Sequence, residues 1–271
     1  MRNKKITGLL LCGALITLAA CGKNDAKRDD KVDNSSTNVS VESTASVEDA
    51  KTSQSNESET KEKELNSAYK KIVDDTYTFI SEFDGSQTIS DGQNGIAEIV
   101  GNERAYGKSV DDIKSEIGYI LVDINSDGVD ELIFAEKNDL QENSRILAIY
   151  TLKNNKAVLL ADGGIRDSYY LLNDNTIFNT GSGGASYTIW GLYEINSSND
   201  ALEATDFYFT EYNDAKNDWY WYHNTTGEYD KDASECLSLA SDKNSPIQQK
   251  NEECFNKAKK LELKYFDCYS K

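Results

Sequence analysis

Histidine and proline each occur once in the 271 residues, as His223 and Pro246. With a single histidine, any Ser–His or Cys–His nucleophile system would have to run through His223. Neither a Gly-x-Ser-x-Gly elbow nor a cysteine-protease segment is present. Beyond residue 21 the cysteines are Cys236, Cys254 and Cys268, at spacings of 18 and 14. With one histidine, that is not a zinc-ligand pattern. Three is an odd number, so at most one intramolecular disulfide can form, with Cys254–Cys268 and Cys236–Cys254 both open. Positive charge is scarce: 29 Lys and Arg face 47 Asp and Glu. A surface so acidic repels nucleic acid and anionic lipid, so neither is an expected partner. The excess carboxylate suits a solvated exported surface and is compatible with cation binding. Long apolar runs are missing too. The stretch 6–20 would rise only about 22 Å as a helix, short of a ~30 Å hydrocarbon core. No internal repeat of 20–50 residues is visible.

The N-terminus has a definite pattern. Arg2, Lys4 and Lys5 form a basic head, and an almost uncharged apolar stretch runs to Ala20. This predicts a signal-peptide core over 1–20 rather than a spanning helix. The run closes Leu18-Ala19-Ala20-Cys21, which resembles the lipobox of bacterial lipoproteins of the Gram-positive type. The resemblance implies cleavage before Cys21, acylation of its thiol, and anchoring on the extracytoplasmic face of the cell membrane. The alternative is an ordinary signal peptide with a chance cysteine. From 21 to 64 the chain is Ser, Thr, Asn, Lys, Asp and Glu with isolated Val and no aromatic residue. Such a segment cannot bury enough apolar surface to offset ordering, so a disordered tether is expected, spanning roughly 35–40 Å.

The remaining 65–271 is long enough for one domain and holds 19 basic against 36 acidic residues. Leu65, Tyr69, Ile72, Thr76, Phe79, Ile80 and Phe83 recur at near-helical spacing, which predicts an amphipathic helix over 65–83. Gln87 to Lys108, full of Gly and Asn, reads as mostly loop. Ser109 and Asp112 fit a capping box for a short helix that Gly118 would stop. Branched and aromatic residues then alternate with polar ones. The expected strands are 119–124, 131–136, 145–152, 156–160, 168–172, 176–179, 186–195, 201–212 and 218–223. Pro246 follows Ser245 at a helix N1 position, with Gln248 completing a second capping box. Ile247, Cys254, Phe255, Ala258, Leu261 and Tyr265 then define one face of a last helix. The expected fold class is α+β: a mainly antiparallel sheet with an amphipathic helix at each end of the domain.

The sharpest chemical pattern is Asp123-Ile124-Asn125-Ser126-Asp127-Gly128-Val129-Asp130-Glu131. Oxygens at positions 1, 3 and 5 can converge on one cation when the chain coils. A glycine at position 6 permits the sharp turn, position 7 offers its carbonyl, and position 9 adds an oxygen. The candidate ligands are Asp123, Asn125, Asp127, the Val129 carbonyl and Glu131. Hard oxygen donors without His or Cys favour Ca²⁺. Position 12 is Phe134, and the flanks read as strands, so this is not an EF-hand between helices. Over about 119–135 the segment resembles the calcium loop on a β-hairpin in FG-GAP repeats of integrin α-chain propellers. It also resembles a single-copy segment of poorly characterised Gram-positive lipoproteins. A propeller needs several repeats, so that fold is not implied. The alternative is an acidic hairpin turn that holds no metal.

Other features carry less. Gly181-Ser182-Gly183-Gly184-Ala185-Ser186 lacks the lysine and following helix of a phosphate cradle and reads as a strand-connecting turn. Phe207, Tyr208, Phe209, Tyr212, Trp219, Tyr220, Trp221 and Tyr222 make an aromatic hairpin. One face enters the core, and the other is available to stack on sugars or grip a protein. The function expected is a surface-displayed, calcium-stabilised, non-catalytic binding or structural module, with an envelope glycan or surface protein as partner. The alternative is a wall- or glycan-directed hydrolase using a carboxylate pair, though nothing in the sequence singles one out.

Overall fold

Alternation sorts the apolar side chains of the central strands onto two faces. Leu132, Phe134, Ala148 and Tyr150 join one buried cluster, while Ile133, Ala135, Ile146 and Ile149 join another. That is the period-two signature of a sheet covered on both sides. In this computed structural model residues 64–138, 143–184 and 186–271 are described. The expected signal peptide, the expected lipidation site Cys21, the expected tether as far as Lys63, and Ala185 lie outside them.

Three helices come first: α1 (Ser67–Glu82), α2 (Asn94–Ala105) and α3 (Val110–Lys114). The strands β1 (Ile117–Val122), β2 (Glu131–Asn138), β3 (Asn143–Lys153), β4 (Lys156–Asp162), β5 (Asp167–Leu171) and β6 (Ile177–Ser182) follow. Next are β7 (Thr188–Ile195), β8 (Leu202–Asn213), β9 (Asp218–Asn224) and β10 (Glu235–Leu239). Helix α4 (Pro246–Lys257), the two-residue strand β11 (Lys264–Tyr265) and a 3₁₀ turn at Phe266–Cys268 end the chain. Among the described residues ten strands form one sheet in the order β10-β9-β8-β7-β6-β5-β3-β2-β1-β11, with β4 joined to it off this path through β3, every pairing antiparallel. The fold is α+β with a mainly antiparallel sheet, as the sequence predicts.

The sheet forks at β3. Residues Ala148 to Lys153 pair with β4, while Ile146 pairs with Tyr169 of β5. Leu147 is the extra residue of a bulge opposite Phe134 and Ala135, and Leu160 the extra one opposite Ile149 and Tyr150. Such bulges bend a strand and let one edge serve two neighbours. Helices α1–α3 and the 3₁₀ turn cover the Phe134 face, and α4 covers Tyr170, Phe178, Trp190, Tyr208 and Trp221.

Three expectations are corrected. First, α2 occupies the stretch read as loop. Its own N-cap, Gln93, makes no side-chain cap. Instead Asp162 at the end of β4 accepts from the backbone N–H groups of Gly92, Asn94 and Gly95 at 2.9, 3.1 and 3.4 Å. Orphan helix donors need an acceptor, and here it comes from across the fold. Gly95 is required because a Cβ there would stand 2.8 Å from the Gly163 carbonyl oxygen. Second, α3 ends at Lys114, capped at Ser115, and Gly118 lies inside β1. The Ser109–Asp112 capping box is present, whereas at α4 only the Ser245 half of the expected box forms and Ser245 N donates to Asp242 O instead of to Gln248.

Third, α4 stops at Lys257, so Ala258, Leu261 and Tyr265 are not helical. The tail is taken over by strand backbones: Lys259 N donates to Leu171 O at 2.8 Å, and Ser144 N donates to Lys259 O at 3.0 Å. Leu261 and Leu263 are buried while Lys260, Glu262 and Lys264 are exposed, a period of two that leads into β11. Cys236, Cys254 and Cys268 are all free thiols, so neither of the two pairings left open by the sequence forms. The extended tail carries Cys268 away from α4.

The tail ends as a plug. Phe266 is fully buried, stacks on Phe134 at 6.2 Å, and meets Tyr77, Tyr119 and Tyr269 at about 6 Å. Phe266→Ala should therefore cost about 3–5 kcal/mol, the range for emptying an aromatic core site. The check is the midpoint of urea unfolding. A loss under 1 kcal/mol would show that the C-terminus contributes nothing to the core.

A loop wound on Asp123, rooted in buried Glu131

Asp123 to Asp130 connect β1 to β2 as a hairpin whose last pair is Val122 with Glu131. Positive φ at Ser126 (61°) and Gly128 (85°) lets the chain turn tightly enough to circle the first aspartate. Asp123 is the hub. Its Oδ1 accepts from Asp127 N at 3.1 Å and its Oδ2 from Gly128 N at 3.0 Å. Asn125 Oδ1 also accepts from Asp127 N, at 3.2 Å, and Asp127 Oδ1 accepts from Val129 N at 2.8 Å. These bonds within the loop turn backbone donors inward onto side-chain oxygens, the winding expected of positions 1, 3 and 5.

Glu131 is the root. Its exposure is 0%, yet among the described residues no basic side chain bonds it. One oxygen accepts from Ile124 N and the other from Thr151 Oγ1, both at 2.9 Å. The carboxyl thereby ties the start of the loop, the start of β2 and the end of β3 together. Burial pushes it up to about 7, opposed by the bonds from Ile124 and Thr151 and aided by Asp127 and Asp123. Beside it Tyr69 of α1, its phenol raised by burial and then by the Glu131 charge, donates to Asp130 O at 3.0 Å and Tyr150 O at 3.1 Å.

A third partner comes from 72 residues away. Asn199, in the turn between β7 and β8, accepts from Asn125 Nδ2 at 3.0 Å and donates to Asp127 Oδ2. That bond from Asn199, with the one from Val129 N, holds the Asp127 carboxyl below its ordinary value. Asn199 has φ 52°, which suits an asparagine in a turn, but nothing in the local sequence couples it to the loop. Beside the loop, Asn125, Asp174, Asn175, Thr176 and Glu194 border an open cleft of about 300 Å³.

The donor inventory bears on a cation. Each carboxylate oxygen has roughly two acceptor directions. Asp123 Oδ1 and Oδ2, Asp127 Oδ1 and Asn125 Oδ1 each accept one protein bond, which leaves one direction apiece. Among the described residues no three His, Cys, Asp or Glu side chains gather into a metal-holding group. A cation here would therefore rely on Asn125, the Val129 carbonyl and water as well as Asp123 and Asp127, with Glu131 behind them. An all-oxygen set completed by water fits Ca²⁺.

The lone histidine serves α4. His223 Nε2 lies 2.8 Å from Asp206 Oδ1, and Lys250 Nζ donates to Asp206 Oδ2 at 2.8 Å, pinning α4 to β8 and β9. Of the stretch read as a turn, Gly181 and Ser182 belong to β6 and pair with Ile189 and Thr188, and Gly183 N donates to Tyr187 O at 2.9 Å.

Glu131→Ala would strand two buried donors, Ile124 N–H and the Thr151 hydroxyl, at about 1–3 kcal/mol each. Glu131→Gln keeps one acceptor and should lose clearly less. Equal losses in urea unfolding would mean that these two bonds do not hold the root. Asn199→Ala should leave global stability within about 1 kcal/mol. It should nevertheless speed hydrogen exchange at the Asp127, Gly128 and Val129 amides.

No known protein family, curated protein or solved structure matches the chain.

Proposed function

We propose that the chain is a lipoprotein held by Cys21 to the extracytoplasmic face of a cell membrane, presenting a calcium-stabilised, non-catalytic binding module. The display half rests on the basic head, the apolar run and Leu18-Ala19-Ala20-Cys21. Two or more acyl chains, at about 0.8 kcal/mol per buried methylene, anchor a protein stably without a spanning helix. No described helix is long and apolar enough to cross a membrane. The tether would carry the domain away from the bilayer toward an envelope glycan or surface protein.

The observation that carries the calcium half is the winding of the loop on Asp123, in which side-chain oxygens of positions 1, 3 and 5 all accept backbone N–H groups of the loop. Calcium would neutralise Asp123 and Asp127 and offset the repulsion they exert on Glu131. Asp123, Asn125, Asp127 and the Val129 carbonyl would hold it, with Glu131 acting directly or through water. Magnesium is a poor substitute because it resists giving up water and demands a stricter octahedron.

Two experiments test this reading. A ligand that binds only the folded state adds about 2.7 kcal/mol at 100-fold saturation. Millimolar Ca²⁺ should therefore raise the melting temperature above its value in EDTA. Asp123→Ala and Asp127→Ala should abolish that shift while leaving the EDTA-treated protein folded. Identical wild-type curves in calcium and EDTA, with no calorimetric heat, would reduce the loop to a turn.

For the anchor, Cys21→Ser should leave an uncleaved precursor or release the protein to the medium. Normal processing and normal membrane attachment of that variant would rule lipidation out.

A further inference from the structure

The register of β7, β8 and β9 lays side chains in rows on the face that α4 partly covers. Trp190, Tyr208 and His223 form one row, Thr210 and Trp221 belong to the next, and Tyr212 and Trp219 to the one beyond. Helix α4 lies over the first, with Lys250 5.3 Å from the Tyr208 ring and Ile247 and Cys254 in the same cluster. Its first residue is Pro246, and past that end the face opens into a cleft of about 270 Å³. Thr188, Thr210, Asp218, Trp219, Trp221 and Gln248 are among its walls.

The lining has a specific chemical character. Trp219 is half-buried and braced on two sides: Tyr187 meets it edge-on at 4.8 Å, and Tyr212 lies at 6.0 Å. Trp221 is 2% exposed, and its indole N–H has no acceptor among the described residues. The same is true of Trp190, one row along. Both indole N–H groups are buried out of reach of solvent, so Trp221 lines the cleft as a fixed wall. The Gln248 amide makes no side-chain hydrogen bond among the described residues, and Ser186, Thr188 and Ser241 add exposed hydroxyls.

An anion is disfavoured by Asp218 and by the acidic domain. A purely apolar ligand would strand the hydroxyls and the amide. The remaining match is a neutral ring with hydroxyls at its edge and C–H groups on its face, which indole accepts by stacking. The volume falls just below the ~300 Å³ where drug-sized pockets begin, so one ring fits.

We infer that the cleft between the N-terminus of α4 and the Trp219–Trp221 face binds one ring of a neutral saccharide. This deepens the reading of the domain as a binding module, and the calcium loop takes no part in it.

The test uses the full chain with cellotriose, maltotriose, triacetylchitotriose and mannotriose as probes, followed by the indole N–H resonances. At least one triose should shift the Trp219 and Trp221 signals, with a dissociation constant of about 1 mM or tighter. Trp219→Ala should weaken binding about tenfold or more. Gln248→Ala should weaken it too, and its unchanged melting curve guards against misfolding of the first variant. Retention on insoluble cell wall against soluble triose separates a wall polymer from a free sugar as the source. The Asp123→Ala variant should bind the triose normally, so failure of the calcium reading and failure of this one are distinguishable. No shift from any triose, or an undiminished shift in Trp219→Ala, overturns the inference.

Discussion

A fully buried carboxylate at the first residue of β2 is the constraint around which the N-terminal half is arranged. Among the described residues Glu131 has no basic partner, and its desolvation is offset by the Ile124 amide and the Thr151 hydroxyl. Those two bonds lock three segments in register: the exit of β1, the entry of β2 and the end of β3. A shift of one residue would move Glu131 to the opposite face and break both at once. The loop beyond Val122 thus has fixed ends, and Asp123 becomes a hub around which six residues can wind. Asn199 then fastens the loop to the β7–β8 turn. The link joins two hairpins that are far apart in strand order.

The second organising device is β3. Bulges at Leu147 and opposite Ile149 and Tyr150 let it pair with β4 along one stretch and with β5 along another. The fork brings Asp162, the last residue of β4, beneath the first turn of α2, where it accepts three backbone donors. A helix with two glycines and two asparagines has weak intrinsic propensity. Its stability comes from that carboxylate and from burial of Ile96, Ala97, Ile99 and Val100.

That dependence explains what was legible in the sequence. The strands through 131–152 were readable because their side-chain period is local. The Ser109 and Ser245 caps were readable because donor and acceptor sit three residues apart. Helix α2 was not, because its cap lies about 70 residues away. The tail was ambiguous for another reason. Ala258, Leu261 and Tyr265 satisfy helical spacing, while Leu261, Leu263 and Tyr265 satisfy a strand, and only the neighbouring backbones choose between them. At the loop, Asp123, Asn125 and Asp127 could be named from spacing alone. Thr151 and Asn199 could not, since a polar residue on another hairpin carries no mark of its partner.

The chain's only proline governs the other end of the molecule. Pro246 at N1, with the Ser245 hydroxyl capping Gln248 N at 3.3 Å, fixes where α4 begins. Its end is fixed by Ala258, where the backbone turns extended and bridges to Leu172. Twelve residues of helix span only about 18 Å. That length covers the Trp190–Tyr208–His223 row, which the Asp206–Lys250 pair pins down, and leaves the Trp219 end of the same face uncovered. The cleft is therefore set by a helix start that cannot move toward it, because proline has no N–H to donate and the preceding residue resists the helical conformation.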